Sequence, residues 1–360
     1  MTWSTAIFDT QTGAPMSPVQ PASGTWGRGD VTSRSHAVPL RGDGFTQAQR
    51  RDLYRAWDRT LVQMWDGKPV YGGLILGTDY DMASGILTVN HCDVRVLLSR
   101  RWMYGIGGYS PTGSVVIDNL SLRGIAARLG YIGLQAPISG AWPIPVVIPA
   151  EEAGSIDRTY YHYEFQTVAE ALSEIESMDG GPDTDLQPRL DAEGRLYWEY
   201  RIGNPLLDGP DWEFNIAAEK QPLLDLHVKE DAAKQTTGVF AVGKGAEADM
   251  RVGGAAASVS AGLAKDTLIT LKDIDDVAQL NSHAQAELNA LYSPTTQWSF
   301  NVLASELDTG TQNLGDLTIG STVRTLSSGD EWIADGVKDH YTVGYTGDYG
   351  YSVTFQVQEA

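Results

Sequence analysis

The triplet His91-Cys92-Asp93 is the part of the sequence that most resembles catalytic machinery, because a base, a nucleophile and a carboxylate are consecutive. Adjacent residues of a strand point to opposite faces of its sheet, so these three side chains cannot form a triad among themselves. No activating context for the thiol is visible around Cys92. We therefore interpret the triplet as the end of a strand, with Asp93 capping the turn that follows.

Four aspartates suggest a calcium site, because carboxylate oxygens are preferred calcium ligands. They are Asp179, Asp183, Asp185 and Asp191. An EF-hand loop counted from Asp183 fails, since its sixth position must be glycine and is Pro188. A looser calcium site and ordinary solvated turn carboxylates both stay open, and the second is the preferred interpretation.

Other motifs of known chemistry are incomplete. Gly243-Lys244-Gly245 lacks the rest of a phosphate-binding loop, and Gly105, Gly107 and Gly108 lack the third glycine of a dinucleotide fingerprint. There is no G-x-S-x-G elbow. No two of the six histidines have the spacing of a zinc-ligand pair; they are His36, His91, His162, His227, His283 and His340. Paired acids for glycoside cleavage stay open, because their approach is spatial. We expect no catalytic, cofactor-binding or metal-binding residue, and no enzyme.

Aromatic residues cluster at two places in the middle of the chain. Tyr160, Tyr161, Tyr163 and Phe165 form one group, and Trp198 and Tyr200 belong to the other. Such side chains can stack on sugars or become buried at subunit interfaces. They are more often part of a hydrophobic core, which is the interpretation we prefer here.

The composition limits the possible functions. With 46 Asp and Glu against 26 Lys and Arg, the net charge is −20, which argues against binding to a phosphate backbone. A wall along which DNA slides would have this sign of charge, but ordinary solubility is the preferred explanation from sequence alone. One cysteine allows no intramolecular disulfide, and no apolar run is long enough for a membrane span. The start, MTWSTAIFDT, lacks the features of a signal peptide, so we expect synthesis in the cytoplasm.

The first part of the chain, residues 1–115, is predicted to be mostly strands. A strand over 59–65, the turn Asp66-Gly67 and a second strand over 70–79 indicate a hairpin, and a third strand follows the turn 82–85. Thr46 and Gln49 have the spacing of a capping box for a short helix. We expect a small antiparallel sheet that can close into a barrel.

The middle part, residues 116–225, is predicted to be mixed α/β. Ser121 can cap a helix that ends at Gly130, and the proline-rich segment 137–149 must be extended or looped. The clearest helix runs from Thr167 to Met178, with Thr167 and Glu170 as a capping box. Two strands joined by the turn 191–194 follow.

The last part, residues 226–360, is predicted to be β-rich again. It should contain a strand over 239–242, a flexible loop of small residues over 243–264 and a helix over 275–291. Strands are predicted over 298–303, 320–325, 332–337 and 351–357. The fold class is therefore α+β and β-rich, with two small barrel-like modules flanking a mixed α/β middle domain.

The order of these segments resembles the baseplate-hub type of minor tail protein from long-tailed bacteriophages, especially those of actinobacteria. The run WDGKPVYGGLI (65–75) resembles the first barrel, and the capped helix leading into MDGGPD (178–183) resembles the middle domain. The segments AVGKG (241–245) and LGDL (314–317) on either side of the helix resemble the final domain. In this resemblance Gly67, Gly180 and Gly181 serve only the backbone conformation, and no catalytic residue is carried over.

The resemblance implies a structural protein of the virion. It implies a homotrimer at the tail tip whose two barrels per chain form a pseudo-six-fold ring. That ring would meet the tail tube or a distal tail protein above and tip or receptor-binding proteins below, and DNA would pass through it without specific binding. Membrane insertion is not expected. A carbohydrate- or receptor-binding module is the alternative, and a cell-wall hydrolase is a weaker one supported only by the abundant carboxylates.

Overall fold

A computed structural model describes residues 2–104, 107–136, 143–220, 223–257 and 263–359. Strands make up 43% of it and helices 18%, which confirms the prediction of a β-rich fold. Within these residues no helix is long and apolar enough to cross a bilayer.

The first sheet contains seven strands in the order β2-β1-β6-β7-β8-β5-β3. Its edge strands are joined by residues 20–22 alone, a connection that spans at most about 14 Å. The sheet therefore curls toward closure, in agreement with a barrel-like module. The strands of this region are β1 (Trp3–Asp9), β2 (Pro15–Val19), β3 (Ser23–Gly24), β4 (Trp26–Arg28), β5 (Arg34–Pro39), β6 (Arg59–Trp65), β7 (Lys68–Asp81) and β8 (Ile86–Asp93), with helix α1 (Gln47–Leu53) after β5.

Local sequence signals position this sheet as predicted. Asp66 and Gly67 both have positive φ, 47° and 80°, which is the conformation of a two-residue hairpin turn whose twist matches the strands. The Thr46 side chain accepts a hydrogen bond from the Gln49 amide, and the Gln49 side chain accepts one from the Thr46 amide. The predicted hairpin and capping box are both confirmed.

The first sheet is buried on both faces. Leu61 and Ile75 belong to a core inside the barrel-like module, whereas their neighbours Val62 and Leu74 belong to a core shared with the middle of the chain. Because successive strand residues point to opposite faces, this double burial explains the nearly continuous apolar runs in β6 and β7. Gly72 permits close packing, since a Cβ there would lie 2.5 Å from Cη2 of Trp198.

The middle of the chain combines two small sheets with two helices. The sheet orders are β11-β9 and β10-β13-β12. Helix α3 begins with the predicted Thr167–Glu170 capping box, and the turn over 191–194 joins the two predicted strands. Of the segment 137–149, residues 137–142 lie outside the described residues. The elements are β9 (Ser114–Leu120), α2 (Leu122–Leu134), β10 (Val146–Val147), β11 (Ile156–Tyr161), α3 (Val168–Glu176), β12 (Thr184–Leu190) and β13 (Leu196–Ile202); short 3-10 helices cover Val94–Arg100 and His162–Glu164.

The prediction that Gly130 ends a helix is wrong. The Ser121 cap is present, but α2 continues through Gly130 to Leu134. A Cβ at position 130 would lie 2.8 Å from Cδ1 of the Tyr200 ring, so this glycine provides close packing against β13. A glycine is therefore required at position 130 by the contact with Tyr200 and not by the end of a helix.

The last sheet has the order β14-β20-β21-β22-β19-β15, and β4 from the start of the chain pairs with β21. Its two edge strands are again consecutive strands of the chain. Strand β14 lies within the predicted middle part, residues 116–225, yet it pairs with β20 of the last sheet. This pairing favours a last module that begins near residue 211. The domain boundaries themselves stay predictions. The elements are β14 (Asp211–Asn215), β15 (Leu223–Asp231), β16 (Gly238–Val242), β17 (Val252–Ala256), β18 (Asp266–Thr270), α4 (Val277–Leu291), β19 (Thr295–Leu303), β20 (Thr322–Ser327), β21 (Gly336–Gly347) and β22 (Ser352–Glu359).

A small α/β unit lies between β15 and β19. Strands β17-β16-β18 pack against α4 around a core of its own. The prediction of a loop over 243–264 is therefore wrong for residues 252–256, which form β17, while residues 258–262 lie outside the described part. Gly253 is needed in this strand because a Cβ would lie 2.8 Å from the backbone nitrogen of Asn281 in α4.

The predicted strand over 332–337 is wrong for residues 332–335 and correct only for 336–337. The Asp330 carboxylate accepts hydrogen bonds from the amides of Trp332 and Ile333, at 2.8 and 2.7 Å, which holds these residues in a turn. Strand β21 begins only at Gly336, whose φ is 127°. Side-chain capping of the turn thus outweighs the β propensity of Trp332 and Ile333.

Candidate functional site

The triplet that ends β8 is divided among three environments. His91 contacts Tyr71 and His36. Cys92 is buried, and burial followed by the nearby Asp93 raises the pKa of its thiol to about 11. Asp93 caps the 3-10 helix by accepting a hydrogen bond from the Arg95 amide at 2.9 Å, as predicted. A thiol with a raised pKa is mostly protonated at neutral pH, so Cys92 lacks the activation that a nucleophilic thiolate needs.

His36 and His91, which we call the histidine pair, are fully buried on β5 and β8. Their Nδ1 and Nε2 atoms are 2.7 Å apart, and Nδ1 of His91 lies 2.8 Å from the Tyr71 hydroxyl. Burial lowers the pKa of His36 to about 4 and, with repulsion from His36, that of His91 to about 2. Both imidazoles are therefore neutral at physiological pH and act as a structural hydrogen-bonded chain.

The four aspartates proposed for calcium are held by separate partners. Asp183 accepts a hydrogen bond from the Tyr341 hydroxyl at 2.7 Å, Asp191 pairs with Arg195 at 2.9 Å, and Asp179 lies 3.4 Å from the Asn289 amide. Asp185 pairs with arginines, as described below. In the described ranges no group of three or more His, Cys, Asp or Glu side chains has the geometry of a metal site.

The aromatic group around residue 160 is mostly exposed. Tyr160 is buried, as the core interpretation predicts, but Tyr161, Tyr163 and Phe165 are exposed by 43%, 53% and 53%. The rings of Tyr161 and Tyr163 stack at 5.2 Å. Trp198 and Tyr200 are both buried in the core.

Of the three glycines considered for a dinucleotide fingerprint, Gly105 lies outside the described residues.

Three parts of the chain meet at a buried cluster of charges that we call the charged junction. It consists of Arg28 on β4, Asp93 at the end of β8, and Asp185 and Arg201 on β12 and β13. Nη2 of Arg28 binds Oδ1 of Asp185 and Nη1 lies 3.7 Å from Oδ2 of Asp93. Arg201 lies 3.5 Å from the other Asp185 oxygen and donates to the carbonyl of Ile319 at 2.8 Å. Single side chains thus connect the first sheet, the middle strands and the last sheet.

Burial and charge oppose each other within the junction. Burial would lower the pKa of Arg28, but the carboxylates of Asp185 and Asp93 outweigh it, so the guanidinium stays charged. Burial raises the pKa of Asp93, and the charge of Arg28 offsets part of that increase. The Arg28 side chain is fully buried and those of the two aspartates are 9–10% exposed, so each charge depends on the others.

Strand β4 and a set of tryptophans also join the first module to the last sheet. Residues 26–28 pair with residues 345–347 of β21. The rings of Trp3 and Trp65 are 4.7 Å apart, and those of Trp3 and Trp26 are 5.4 Å apart. The indole nitrogens of Trp3 and Trp26 donate to the carbonyls of Gly350 and Asp348, at 2.9 and 3.0 Å. The two barrel-like modules are therefore held in a fixed relation.

No protein-family model and no curated protein matches the sequence. Solved structures do match it. A tail protein from Neisseria meningitidis MC58 is 13% identical with a TM-score of 0.58, covering 100% of this chain and 97% of that one. The 43 kDa tail protein of prophage MuSo2 from Shewanella oneidensis is 11% identical with a TM-score of 0.60, covering 98% of each chain.

A third match is the E. coli c3393 protein, a type VI secretion component described as similar to the T4 tail proteins gp27 and gp5. It is 12% identical with a TM-score of 0.50, covering 99% of this chain and 76% of that one. The chain thus has the fold of phage tail and baseplate hub proteins, which confirms the predicted resemblance at the level of the fold. All three matches are described as tail or secretion proteins.

Proposed function

We propose that this protein is a structural subunit of a phage virion that forms a trimeric hub at the tail tip. The observation that carries the proposal is the fixed pairing of two barrel-like modules within one chain of tail-protein fold. Three copies would present six such modules, as a ring that meets a hexameric tail tube requires.

Rigidity within the subunit supports this role. A ring closes only if each subunit holds its two modules at one angle, because errors in angle add up around the ring. The pairing of β4 with β21, the tryptophans and the charged junction all restrict that angle. Association between copies would also cover sheet edges that are otherwise open to incorrect pairing.

The net charge of −20 suits the passage of DNA. A channel lined by acidic side chains repels phosphates, so DNA would slide without specific binding. In this arrangement the tail tube or a distal tail protein binds above the ring, and tip or receptor-binding proteins bind below it.

Negative-stain electron microscopy of the purified full chain, with particles classified by symmetry, tests the proposal. We expect three-fold rings with a central opening and, by light scattering, a mass of about 117 kDa for three 39.0 kDa copies. A second sample contains the tail-tube protein of the same phage as well, because ring assembly can require the tube as a template. Compact 39.0 kDa particles with and without that template would contradict the hub.

The exposed aromatic side chains favour a second candidate, a carbohydrate- or receptor-binding tail module. Tyr161, Tyr163 and Phe165 expose about half of their surface, and clustered exposed apolar surface is a common mark of a binding site. Saturable binding on a glycan array by a chain that stays monomeric would favour this function over the hub.

A further inference from the structure

A cleft of about 770 Å³ lies where the first module meets the middle of the chain. Its walls come from the turn after β1, the segment between α1 and β6, the 3-10 helix Val94–Arg100 with Arg101, and the residues before β10. Leu97, Pro143 and Ile144 make one side apolar. The volume is in the range of small-ligand sites, which combine apolar walls with a few convergent polar groups.

Positive charge is concentrated in this cleft, although the whole chain carries −20. Four arginines line it against two aspartates, Asp9 and Asp58. Arg55 and Arg59 already pair with aspartates, at 2.6–3.2 Å. The other two, Arg100 and Arg101, make no ion pair with any residue that the structure describes, and Nε of Arg101 is buried without a hydrogen-bond partner there.

The indole of Trp57 is presented to the same cleft by an unusual backbone conformation. Trp57 has a φ of 65°, which is unfavourable for a residue with a side chain, and it is 41% exposed. Its amide donates to the carbonyl of Ile75 at 2.7 Å, which holds the conformation. Residues held in such sparsely populated backbone conformations cluster at functional sites, including ligand sites.

We propose that this cleft, which we call the arginine cleft, binds an anionic saccharide. The sugar ring stacks on the Trp57 indole, and a carboxylate or phosphate on the sugar is bound by Arg100 and Arg101. Guanidinium groups recognise both anions through paired hydrogen bonds, so the two share one chemistry. A saccharide fits better than an acidic protein segment, because the unpaired cations are only two and lie beside an aromatic ring and an apolar wall. The inference goes beyond the hub function and does not depend on it.

Calorimetric titration of the full chain tests the ligand class. The probes are a glucuronate-containing tetrasaccharide and its carboxyl-reduced counterpart, glucose 6-phosphate and glucose, and inorganic phosphate. We expect the charged member of a pair to bind about tenfold more tightly or better, and the preferred pair identifies carboxylate or phosphate as the anion. Equal affinity within both pairs would overturn the proposal, as would inorganic phosphate that binds as tightly as glucose 6-phosphate.

Variants test the residues. Arg100→Gln and Arg101→Gln should each weaken binding of the charged saccharide about tenfold, and Arg100 is exposed enough to be replaced without harm to folding. Trp57→Asn, a residue that tolerates the left-handed backbone, should weaken charged and neutral forms by the same factor. The matched controls are Arg324→Gln and Trp332→Ala, which lie outside the cleft. Controls that lose as much affinity as the cleft variants would overturn the proposal.

The mass of each variant separates this proposal from the hub. If Arg101→Gln or Trp57→Asn prevents self-association and the unaltered chain binds no saccharide, the cleft is a contact between copies and the saccharide proposal is wrong. Saccharide binding by a chain that never forms rings would contradict the hub and support the arginine cleft. Binding by intact rings supports both.

Discussion

Replacement of Arg28 by methionine should destabilise the protein strongly, because it removes the cation that two buried aspartates share. Met keeps most of the side-chain volume, so the loss comes from charge rather than from a cavity. Asp93 and Asp185 would remain 9–10% exposed, with Arg28 gone. Removal of one partner from a buried ion pair typically costs about 3 to 5 kcal/mol of unfolding free energy. We expect a loss in this range for Arg28→Met at pH 7.

The pH dependence of this loss distinguishes a charge effect from a packing effect. Without Arg28, burial raises the pKa of the Asp93 carboxyl above its unfolded value of about 3.9, as does the charge of Asp185. The folded state then holds more protons than the unfolded state, so the variant regains stability as the pH falls. The difference between variant and unaltered chain should therefore shrink between pH 7 and about pH 5.

Urea unfolding followed by tryptophan fluorescence measures both effects. The matched control is Arg324→Met, because Arg324 forms an ion pair with Asp339 whose side chains are 44% and 41% exposed. Such exposed pairs contribute about 0 to 1 kcal/mol. Asp185→Asn in the Arg28→Met background should recover part of the loss. If Arg28→Met costs no more than the control, or if its cost does not change with pH, our account of the junction is wrong.

Two further predictions concern buried groups. The pKa values of the histidine pair are lowered in the folded state, so as the pH falls below 6.5 the unfolded state takes up protons first. The unfolding free energy should therefore fall by about 1.4 kcal/mol per pH unit for each histidine as the pH is lowered from 6.5 to about 4. Urea titrations across this window should show a shallower slope for His91→Gln and an unchanged slope for the exposed control His227→Gln. Gly130→Ala should lower the unfolding free energy by about 1 to 2 kcal/mol despite the better helix propensity of alanine, because the new methyl group meets the Tyr200 ring. The control is Gly77→Ala, whose methyl group meets open space, and equal thermal shifts for both variants would contradict the packing argument.

The elements that sequence predicted correctly are those whose signals lie within a few residues. The capping boxes at Thr46 and Thr167 and the turn Asp66-Gly67 each need only local geometry, and each is confirmed. The predictions fail where a distant contact decides. Gly130 has the sequence signal of a helix end, and its true role is set by a tyrosine 70 positions away, which no local pattern contains.

The charged junction could not be predicted for the same reason. Arg28 and Asp185 are separated by 157 positions. Arginine and aspartate are usually found at the surface, so neither residue stands out in the sequence as part of a buried cluster. The arginine cleft has a weak sequence signal, the consecutive Arg100 and Arg101 in an acidic chain, but its pairing with Trp57 depends on how the modules meet. Sequence alone therefore predicts the β-rich fold class and leaves the contacts between distant parts of the chain undetermined.

Hydrophobic attraction is non-directional, so by itself it favours contact between the modules without selecting one angle. Buried charges do not tolerate displacement: a shift that separates Arg28 from Asp185 exposes both groups to an apolar interior. The junction therefore converts small changes of angle into a large energetic penalty, even if its net contribution to stability is low. A subunit that must close a ring with identical copies needs this kind of angular precision more than it needs additional stability. This is why we regard the junction, rather than any pocket, as the structural basis of the proposed hub function.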